Sequence, residues 1–420
     1  MSYSPYALVE KMSFVRFGGT EAELKAAQIL LDEIETLGGK GELMDFTIPK
    51  STCNSFKFTV TAPYTKDVNV QPWGMCDNIN ADLKFIYAEK CTETDLLGMD
   101  DLSDSIVMVN TLNLDVYKTL VKHKAAAIMV IMGKYYHNNE EAGIYQRDMR
   151  PAFLKLAAIP TFYISAHDAT DLVRDEVETI HVETDFTHGE TTSRDVLAVI
   201  EGTEKPEEAI VLTAHYDSVP IGTGSWDNAT GSAALMGIYN YFLQNAPKRT
   251  MRFVWCGSEE QGLYGSKAYV EQKADLLDSI KFCFNFDMCG TILGPNMAFV
   301  TGPKELQTFV ELYCREIGMA MDVRTGVHSS DSAPFADKGI PAIGLSRGTQ
   351  SSEIHTCRDL IFPVGEKPLL KNIDFFTGMI DRVVNAVMMP VAKGMPEDML
   401  KELDKYFQRE PGEKKAEEKK

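Results

Sequence analysis

The sequence predicts an α/β protein with a mostly parallel mixed sheet, helices on both faces of that sheet, and an inserted β-rich domain. From about residue 190 onward, short β-branched runs alternate with helical stretches, a pattern typical of a parallel sheet. Polar residues directly follow several of these runs, at the strand ends where α/β proteins bind their ligands. Between residues 51 and 189 the pattern changes to short strands with few helices, which indicates a separate domain.

This change of pattern divides the chain into three parts. Residues 1–50 and 190–395 are expected to form the catalytic domain, with residues 51–189 inserted into it. Residues 396–420 are expected to form a C-terminal helix and a disordered tail, because the final segment is almost entirely Glu, Lys, Pro and Gly.

Local signals define the first elements. Residues 4–14 form a short amphipathic helix candidate. Thr20 and Glu23 have the spacing of a capping box, in which the threonine hydroxyl accepts from the Glu23 N–H and the glutamate side chain reaches back. The helix that follows is expected to end at Gly38-Gly39, and the next strand, 41–48, at Pro49.

Periodicity predicts the remaining elements in order. Apolar, β-branched runs too short for helices predict strands at 56–61, 83–87, 106–109, 127–131, 161–164, 196–200, 210–212, 251–255, 280–286, 297–300 and 340–345. Longer stretches with helical spacing predict helices at 116–123, 168–176, 229–242, 265–272, 304–317, 367–389 and 395–407.

Composition excludes several classes of function. The formal net charge of −19 disfavours non-specific nucleic-acid binding, since both partners would be polyanions. No stretch of about 18 apolar residues predicts a transmembrane helix, and the N-terminus has no signal-peptide pattern. The eight cysteines are scattered, so we expect reduced thiols in a cytoplasmic protein; a bridge between Cys283 and Cys289 is the alternative. The oligomeric state is not predicted.

Residues of the types that bind metal ions follow one predicted strand after another. The set is His215, Asp217, Asp227, Glu259, Glu260, Asp287 and His355. Any one of them alone is more often a cap, a surface charge or a structural histidine. Because the carboxyl ends of parallel strands meet at one edge of a sheet, the whole set is expected to converge. The histidines of the inserted segment lack such neighbours and are expected to be structural: His123, His137, His167, His181 and His188.

The number of ligands favours two metal ions rather than one. A single catalytic zinc needs about three protein ligands, whereas two ions roughly 3.5–4 Å apart need more, ideally with a bridging carboxylate. Neighbouring residues point in different directions, so one of Glu259 and Glu260 can bind metal while the other faces the water as a general base. Asp217 is placed to accept the second ring N–H of His215.

In this order the motifs resemble those of the co-catalytic zinc exopeptidases, which include bacterial leucyl aminopeptidase, vacuolar aminopeptidase Y and glutamate carboxypeptidase. The matching pieces are AHYDS, SWDNATG, SEEQGLYGS, NFDMCG, SSDSAPFADKGIPAIGL and SSEIHTCRD, with RFGGTEAELKAAQILLDEIETLG as the opening helix. The resemblance covers about residues 1–50 and 190–390 and implies the zinc-exopeptidase, phosphorylase/hydrolase-like fold. Residues 51–189 resemble, more weakly, a protease-associated domain.

The resemblance implies two Zn²⁺ ions per chain, although other divalent ions suit the same ligands. His215 and Asp287 would bind one ion, and Glu260 and His355 the other. Asp227 would bridge them, and a cis peptide often follows this aspartate in the family.

The resemblance also assigns the reaction. Glu259 would be the general base for a metal-bridging water, and Asp217 would orient His215. The implied activity is an aminopeptidase that hydrolyses N-terminal residues from peptides. A carboxypeptidase or dipeptidase on the same two-zinc site is the alternative, with Arg347 as the clamp for a substrate carboxylate.

Two departures from the family pattern concern the substrate. The tyrosine that some relatives place before the last histidine is Ile354 here, so the oxyanion donor besides zinc is unassigned. The histidine that usually follows Ser-Asp is Ser332, which puts substrate preference in question and leaves Asp331 as a candidate substrate residue.

Two further relatives give other functions. Glutaminyl cyclases use one zinc, so the complete set of ligands disfavours that reading. Transferrin receptor has this architecture without a working metal site, and a binding scaffold of that kind is the non-enzymatic alternative.

Overall fold

The computed structural model describes residues 3–348 and 353–409. The chain forms two compact units, one made of residues up to Phe46 and from Thr192 onward, the other of Thr47–Thr191. The predicted disordered tail beyond residue 409 and the start of the polar loop predicted at 351–359 lie outside the described residues.

The helices and strands are numbered separately in chain order. The helices are α1 (Pro5–Met12), α2 (Glu21–Thr36), α3 (Leu114–Lys122), α4 (Pro151–Leu154), α5 (Ala166–Arg174), α6 (Thr230–Gln244), α7 (Tyr264–Gln272), α8 (Lys304–Ile317), α9 (Ser332–Asp337), α10 (Glu366–Val384) and α11 (Glu397–Tyr406). The strands are β1 (Gly41–Ala62), β2 (Lys66–Asp67), β3 (Val70–Pro72), β4 (Asn80–Tyr87), β5 (Ser105–Val109), β6 (Ala127–Met132), β7 (Thr161–Ser165), β8 (Thr179–Ile200), β9 (Lys205–His215), β10 (Arg249–Cys256), β11 (Ile280–Phe286), β12 (Asn296–Thr301), β13 (Asp322–Thr325) and β14 (Ala342–Arg347).

The first unit contains the predicted mixed sheet, in the strand order β13-β12-β14-β11-β9-β10-β8. Strand β9 is parallel to β10 and β11, and β11 is parallel to β14. Strands β8 and β12 are antiparallel to their neighbours β10 and β14. The carboxyl ends of β9, β10, β11 and β14 therefore meet at one edge of this sheet.

Helices cover both faces of this sheet because alternate strand residues point to opposite sides. In β9, Leu212 joins a buried cluster with residues of α1, α6 and α10, whereas Val211 joins another with residues of α7 and α9. The fold class predicted from the sequence is confirmed for this unit.

The strands of the second unit pair in the order β8-β4-β5-β6-β7-β3, with β4 to β7 parallel. Both faces are apolar, since Val107 and Ile128 lie in one buried cluster and Ile106 and Met129 in another.

Two predicted strand boundaries are wrong. Strand β1 continues through Pro49 to Ala62, so the strands expected at 41–48 and 56–61 are one. The strand expected at 196–200 is likewise the end of the longer β8. Proline removes one hydrogen-bond donor, and a strand tolerates that loss where the ladder does not use the donor.

Two other expectations concern the whole chain. All eight cysteines are free thiols, so Cys283 and Cys289 do not form a bridge. Among the described residues, no helix has both the length and the apolar character needed to cross a bilayer.

Candidate active site

The loop between β9 and α6 carries the central residue of the site, Asp227. Gly224 in this loop has φ +56°, and a Cβ there would lie 2.6 Å from the Ser218 Cβ and 2.7 Å from the Asp227 carbonyl oxygen. Only glycine fits so tight a turn in this backbone conformation. The loop ends in a single irregular turn, Ser225–Ala229, with a cis peptide between Asp227 and Asn228.

The Asp227 carboxylate lies between the two histidines. Its Oδ1 is 3.1 Å from Nε2 of His215, and its Oδ2 is 3.2 Å from Nε2 of His355. Asp287 completes one group, 3.7 Å from the same His215 nitrogen, and Glu260 completes the other, 3.0 Å from that of His355. Two candidate metal positions therefore share one carboxylate.

Asp217 contacts both the His215 ring and the backbone of the Glu259–Glu260 pair. Its Oδ1 is 3.4 Å from Nδ1 of His215, and its carboxylate accepts the backbone N–H groups of Glu259 at 3.0 Å and Glu260 at 3.2 Å. This fully buried residue thus contacts the imidazole and also fixes the backbone of the glutamate pair.

Several residues at the site have unusual backbone conformations. Ser258, Met288 and His355, each at or beside a candidate ligand or base, have φ of 52°, 54° and 59°. Residues other than glycine adopt this region rarely, and they do so most often at functional sites.

Burial and charge together shift the pKa values of this cluster. Burial disfavours the charged His215, but the Glu259 charge and the contacts with its carboxylate neighbours raise the pKa of His215 well above its usual value. In His355 the charges of Glu260 and Asp227 likewise outweigh burial and raise the pKa to about 11. Burial, with the charges of nearby acids, raises the pKa of Glu259 well above the usual range.

These residues fit divalent cations. One Glu260 oxygen and one Asp287 oxygen are buried without a hydrogen-bond partner. In the protein alone, protons on the imidazoles supply the positive charge that balances the acids. Divalent cations would replace those protons, which is how histidine and carboxylate sites bind metals.

The two candidate substrate residues are placed differently from expectation. Arg347 donates to the carbonyl oxygens of Thr291 and Ile292 and to Oδ1 of Asn296, so its guanidinium is bound to the chain itself. Asp331 is only 1% exposed, within range of the His215 charge, and burial raises its pKa to about 6.

The two positions that differ from the family pattern, Ile354 and Ser332, both contact neighbouring side chains. Ile354 packs against the main apolar cluster, and the Ser332 hydroxyl lies 2.8 Å from that of Ser330.

Sequence reasoning missed three supporting residues of the site. Asp359 accepts the N–H groups of Trp226 and Asp227, and Arg16 binds the same loop. Glu23 accepts hydrogen bonds from Gly19 and from the hydroxyls of Ser193 and Ser258. All three lie inside the motifs that carry the resemblance; no local pattern marks Arg16 or Asp359, and the capping-box pattern marks Glu23 only as part of a helix cap.

A mixed sheet with two groups of histidine and carboxylate ligands at the carboxyl ends of its strands defines a class of α/β metallohydrolases. Residues 195–373 match the model of peptidase family M28. This part of the chain is therefore similar to peptidase family M28, in agreement with the resemblance found in the sequence motifs.

Individual relatives agree with this assignment. Leupeptin-inactivating enzyme 1 of Streptomyces exfoliatus is 36% identical over 169 residues, 39% of this chain and 38% of its own length. Aminopeptidase YwaD of Bacillus subtilis is 24% identical over 411 residues, 93% of this chain and 86% of its own. This chain thus spans little more than a third of the first relative and most of the second.

A solved structure has the same fold. BSAP, described as a zinc aminopeptidase from Bacillus subtilis, aligns with a TM-score of 0.75 at 20% identity, covering 94% of this chain and 98% of its own.

Proposed function

We propose that the protein is a zinc-dependent aminopeptidase that removes N-terminal residues from peptides. The observation that carries this proposal is the Asp227 carboxylate, which presents one oxygen to each of two imidazole-containing groups. The names of its relatives, aminopeptidase YwaD and the zinc aminopeptidase BSAP, support the same activity.

In this proposal the cluster holds two zinc ions. His215 and Asp287 would hold one ion, Glu260 and His355 would hold the other, and Asp227 belongs to both groups of candidate ligands. When bound, the ions would polarise the scissile carbonyl and make a water molecule more acidic.

The side chains of the site move and hold the protons. The Glu259 carboxylate takes a proton from the attacking water and passes it to the leaving amine. The positive charge of bound ions favours the ionised form of Glu259, opposing the burial that raises its pKa. Asp217 keeps His215 in one orientation and holds the Glu259 amide, so that ligand and base keep their relative positions.

The alternative carboxypeptidase or dipeptidase activity has less support. It relies on Arg347 as a carboxylate clamp, and this guanidinium donates to Thr291, Ile292 and Asn296 instead. A non-enzymatic binding scaffold would give no role to the two groups of candidate ligands that share the Asp227 carboxylate.

The test is metal content combined with hydrolysis of aminoacyl-anilides that have a free N-terminus. We expect two zinc ions per chain and hydrolysis that chelation abolishes and zinc restores. Zinc binding without anilide hydrolysis, together with cleavage of free but not C-terminally amidated dipeptides, would favour a carboxypeptidase or dipeptidase. If the protein contains no metal even after zinc is added back, the proposal that it is an enzyme is wrong.

We also propose that residues 51–189 are a protease-associated-like domain and that the protein is cytoplasmic. Support for the first is that Thr47–Thr191 forms a compact unit with apolar clusters of its own. Support for the second is that all eight cysteines are free. Thiol titration of the denatured protein from cells should count eight reduced cysteines; fewer would contradict the proposed location.

A further inference from the structure

The loop that carries Asp227 is held by two side chains from distant parts of the chain. Arg16 follows α1, and Asp359 lies in the loop after His355. Both are buried, with 0% and 1% of their surface exposed. Neither binds the other directly, and both contact the same short segment, residues 223–227.

Asp359 holds the backbone of the bridging residue itself. Its Oδ1 accepts the N–H of Trp226 at 3.0 Å, and its Oδ2 accepts the N–H of Asp227 at 3.2 Å. The Thr223 hydroxyl donates to the Asp359 carbonyl oxygen at 2.7 Å. A carboxylate is needed here because both partners are donors, and an amide can offer an oxygen to only one of them.

Arg16 holds the two ends of the loop at one point. Its Nε donates to the carbonyl oxygen of Tyr216, which follows β9, and its Nη2 donates to that of Gly224 at 2.7 Å. Nη1 donates to Thr223 and to the arginine's own segment at Met12. The planar guanidinium has five N–H donors in a fixed fork, and no other side chain can bind so many carbonyls at once.

Arg16 is also a buried positive charge beside the acids of the site. Burial lowers its pKa to about 10, opposed by the nearby charges of Asp359, Asp217, Asp227 and Glu260. The guanidinium therefore stays ionised at neutral pH and offsets part of the negative charge of the cluster.

We propose that Arg16 and Asp359 are positioning residues that fix Asp227 between the two ion positions, so that losing either weakens both ions together. This inference rests on the proposed metal site. It differs from the effect of losing an unshared ligand such as His355, which belongs to only one of the two groups.

The test compares Asp359→Asn and Arg16→Lys with the control Arg249→Lys. Arg249 is also a fully buried arginine that donates to carbonyl oxygens, those of Val384 and Ala386, but it begins β10 at the end away from the site. Zinc affinity is measured by competition with a chromophoric chelator, on protein shown by circular dichroism to be folded in chelator.

For the two positioning variants we expect the affinity for both ions to fall about 10- to 100-fold, as for other residues that orient metal ligands. Arg249→Lys should lower the melting temperature and leave zinc affinity unchanged. Equal losses of zinc affinity in all three variants would mean that the effect comes from lower overall stability, and would overturn the proposal. Wild-type zinc affinity in Asp359→Asn would also overturn it.

Thr223→Val is the variant to use if a charge replacement prevents folding. It removes the hydroxyl that donates to Asp359 without changing any charge. Weaker binding of both ions with an unchanged melting temperature in chelator supports the proposal, and unchanged affinity overturns it. If the wild-type protein binds no zinc, the proposed function is wrong. This outcome is distinguishable from failure of the positioning proposal, which requires a wild-type protein that binds zinc.

Discussion

Among residues 3–348 and 353–409, two places bring a histidine together with carboxylates closely enough to hold a metal ion, and they are built in opposite ways. In the first unit, His215 at the end of β9, Asp227 in the loop that follows and His355 in the loop after β14 meet at the strand ends of one sheet. In the second, His167, Asp168 and Asp171 all lie on the first turns of α5.

The difference lies in what surrounds the carboxylates. Asp168 accepts a hydrogen bond from Ser165, the cap of its own helix, and Asp171 pairs with Arg174. Asp227 is 6% exposed, and each of its two oxygens lies close to one of the two imidazoles. No Asp or Glu of Thr47–Thr191, a segment described throughout, is buried. Proximity of ligand types is common on surfaces, whereas burial without other partners is costly unless a cation binds.

The largest effect should come from removing the shared ligand. Asp227→Ala deletes a ligand of both groups, so we expect loss of both ions and of chelator-sensitive hydrolysis. The matched variant Asp171→Ala removes a carboxylate of the helical cluster and should leave both unchanged. Metal analysis after dialysis distinguishes the clusters; ions retained in Asp227→Ala would show that the wrong cluster was chosen.

Replacing the general base should separate metal binding from chemistry. Glu259→Gln keeps size and shape but cannot accept the proton, so turnover should fall about 10²- to 10⁴-fold while zinc content is unchanged. Glu271→Gln, on an exposed position of α7, is the control. Turnover close to wild type in Glu259→Gln would remove this residue as the base.

A smaller effect is expected at Asp217. Asp217→Asn weakens the hold on His215 and on the glutamate backbone, and should lower zinc affinity about 10- to 100-fold. Asp82→Asn offers a comparison in the second unit, because Asp82 lies 3.0 Å from Nδ1 of His181 in an exposed pair. Isothermal titration with zinc should distinguish them, and equal affinities would contradict the orienting role.

The smallest expected effect is a pH dependence of stability caused by Glu23. Burial raises its pKa to about 7 from 4.5, so the folded state binds more protons than the unfolded state between these values. The free energy of unfolding should therefore fall as pH rises from about 4.5 to 7, by at most about 3 kcal/mol. Urea unfolding at several pH values should show a flatter slope for Glu23→Gln than for Glu21→Gln, an exposed position on the same helix. If the free energy of unfolding depends on pH in the same way in both variants, Glu23 is not the cause of the pH dependence.

The sequence predicted the ligands because each follows a strand with a clear local pattern. His215, Asp287 and Glu260 need only the rule that parallel strands end at one edge. Their sharing of Asp227 in the folded chain matches what the family resemblance implied. Which glutamate binds metal also came from the resemblance, because two adjacent side chains cannot be told apart by pattern.

The supporting contacts could not be predicted in this way. Arg16 and Asp359 act through carbonyl and amide groups of a loop, and backbone groups carry no sequence signal. The contacts of Arg347 could not be predicted for the same reason, since its acceptors at Thr291 and Ile292 are also backbone oxygens. The continuous β1 was missed because a proline in the sequence usually indicates the end of a strand. The pattern does not show whether the sheet uses the backbone donor that proline lacks.

The contact between Arg16 and Tyr216 joins residues 200 positions apart, and all of Thr47–Thr191 lies between them in the chain. During synthesis on the ribosome, the arginine is made early and its acceptors emerge only after the entire second unit. Asp359 and the last ligand, His355, follow still later. The candidate ion site therefore cannot be completed until residues as far as Asp359 have left the ribosome, and a nascent chain that ends before them cannot bind metal in the mature arrangement.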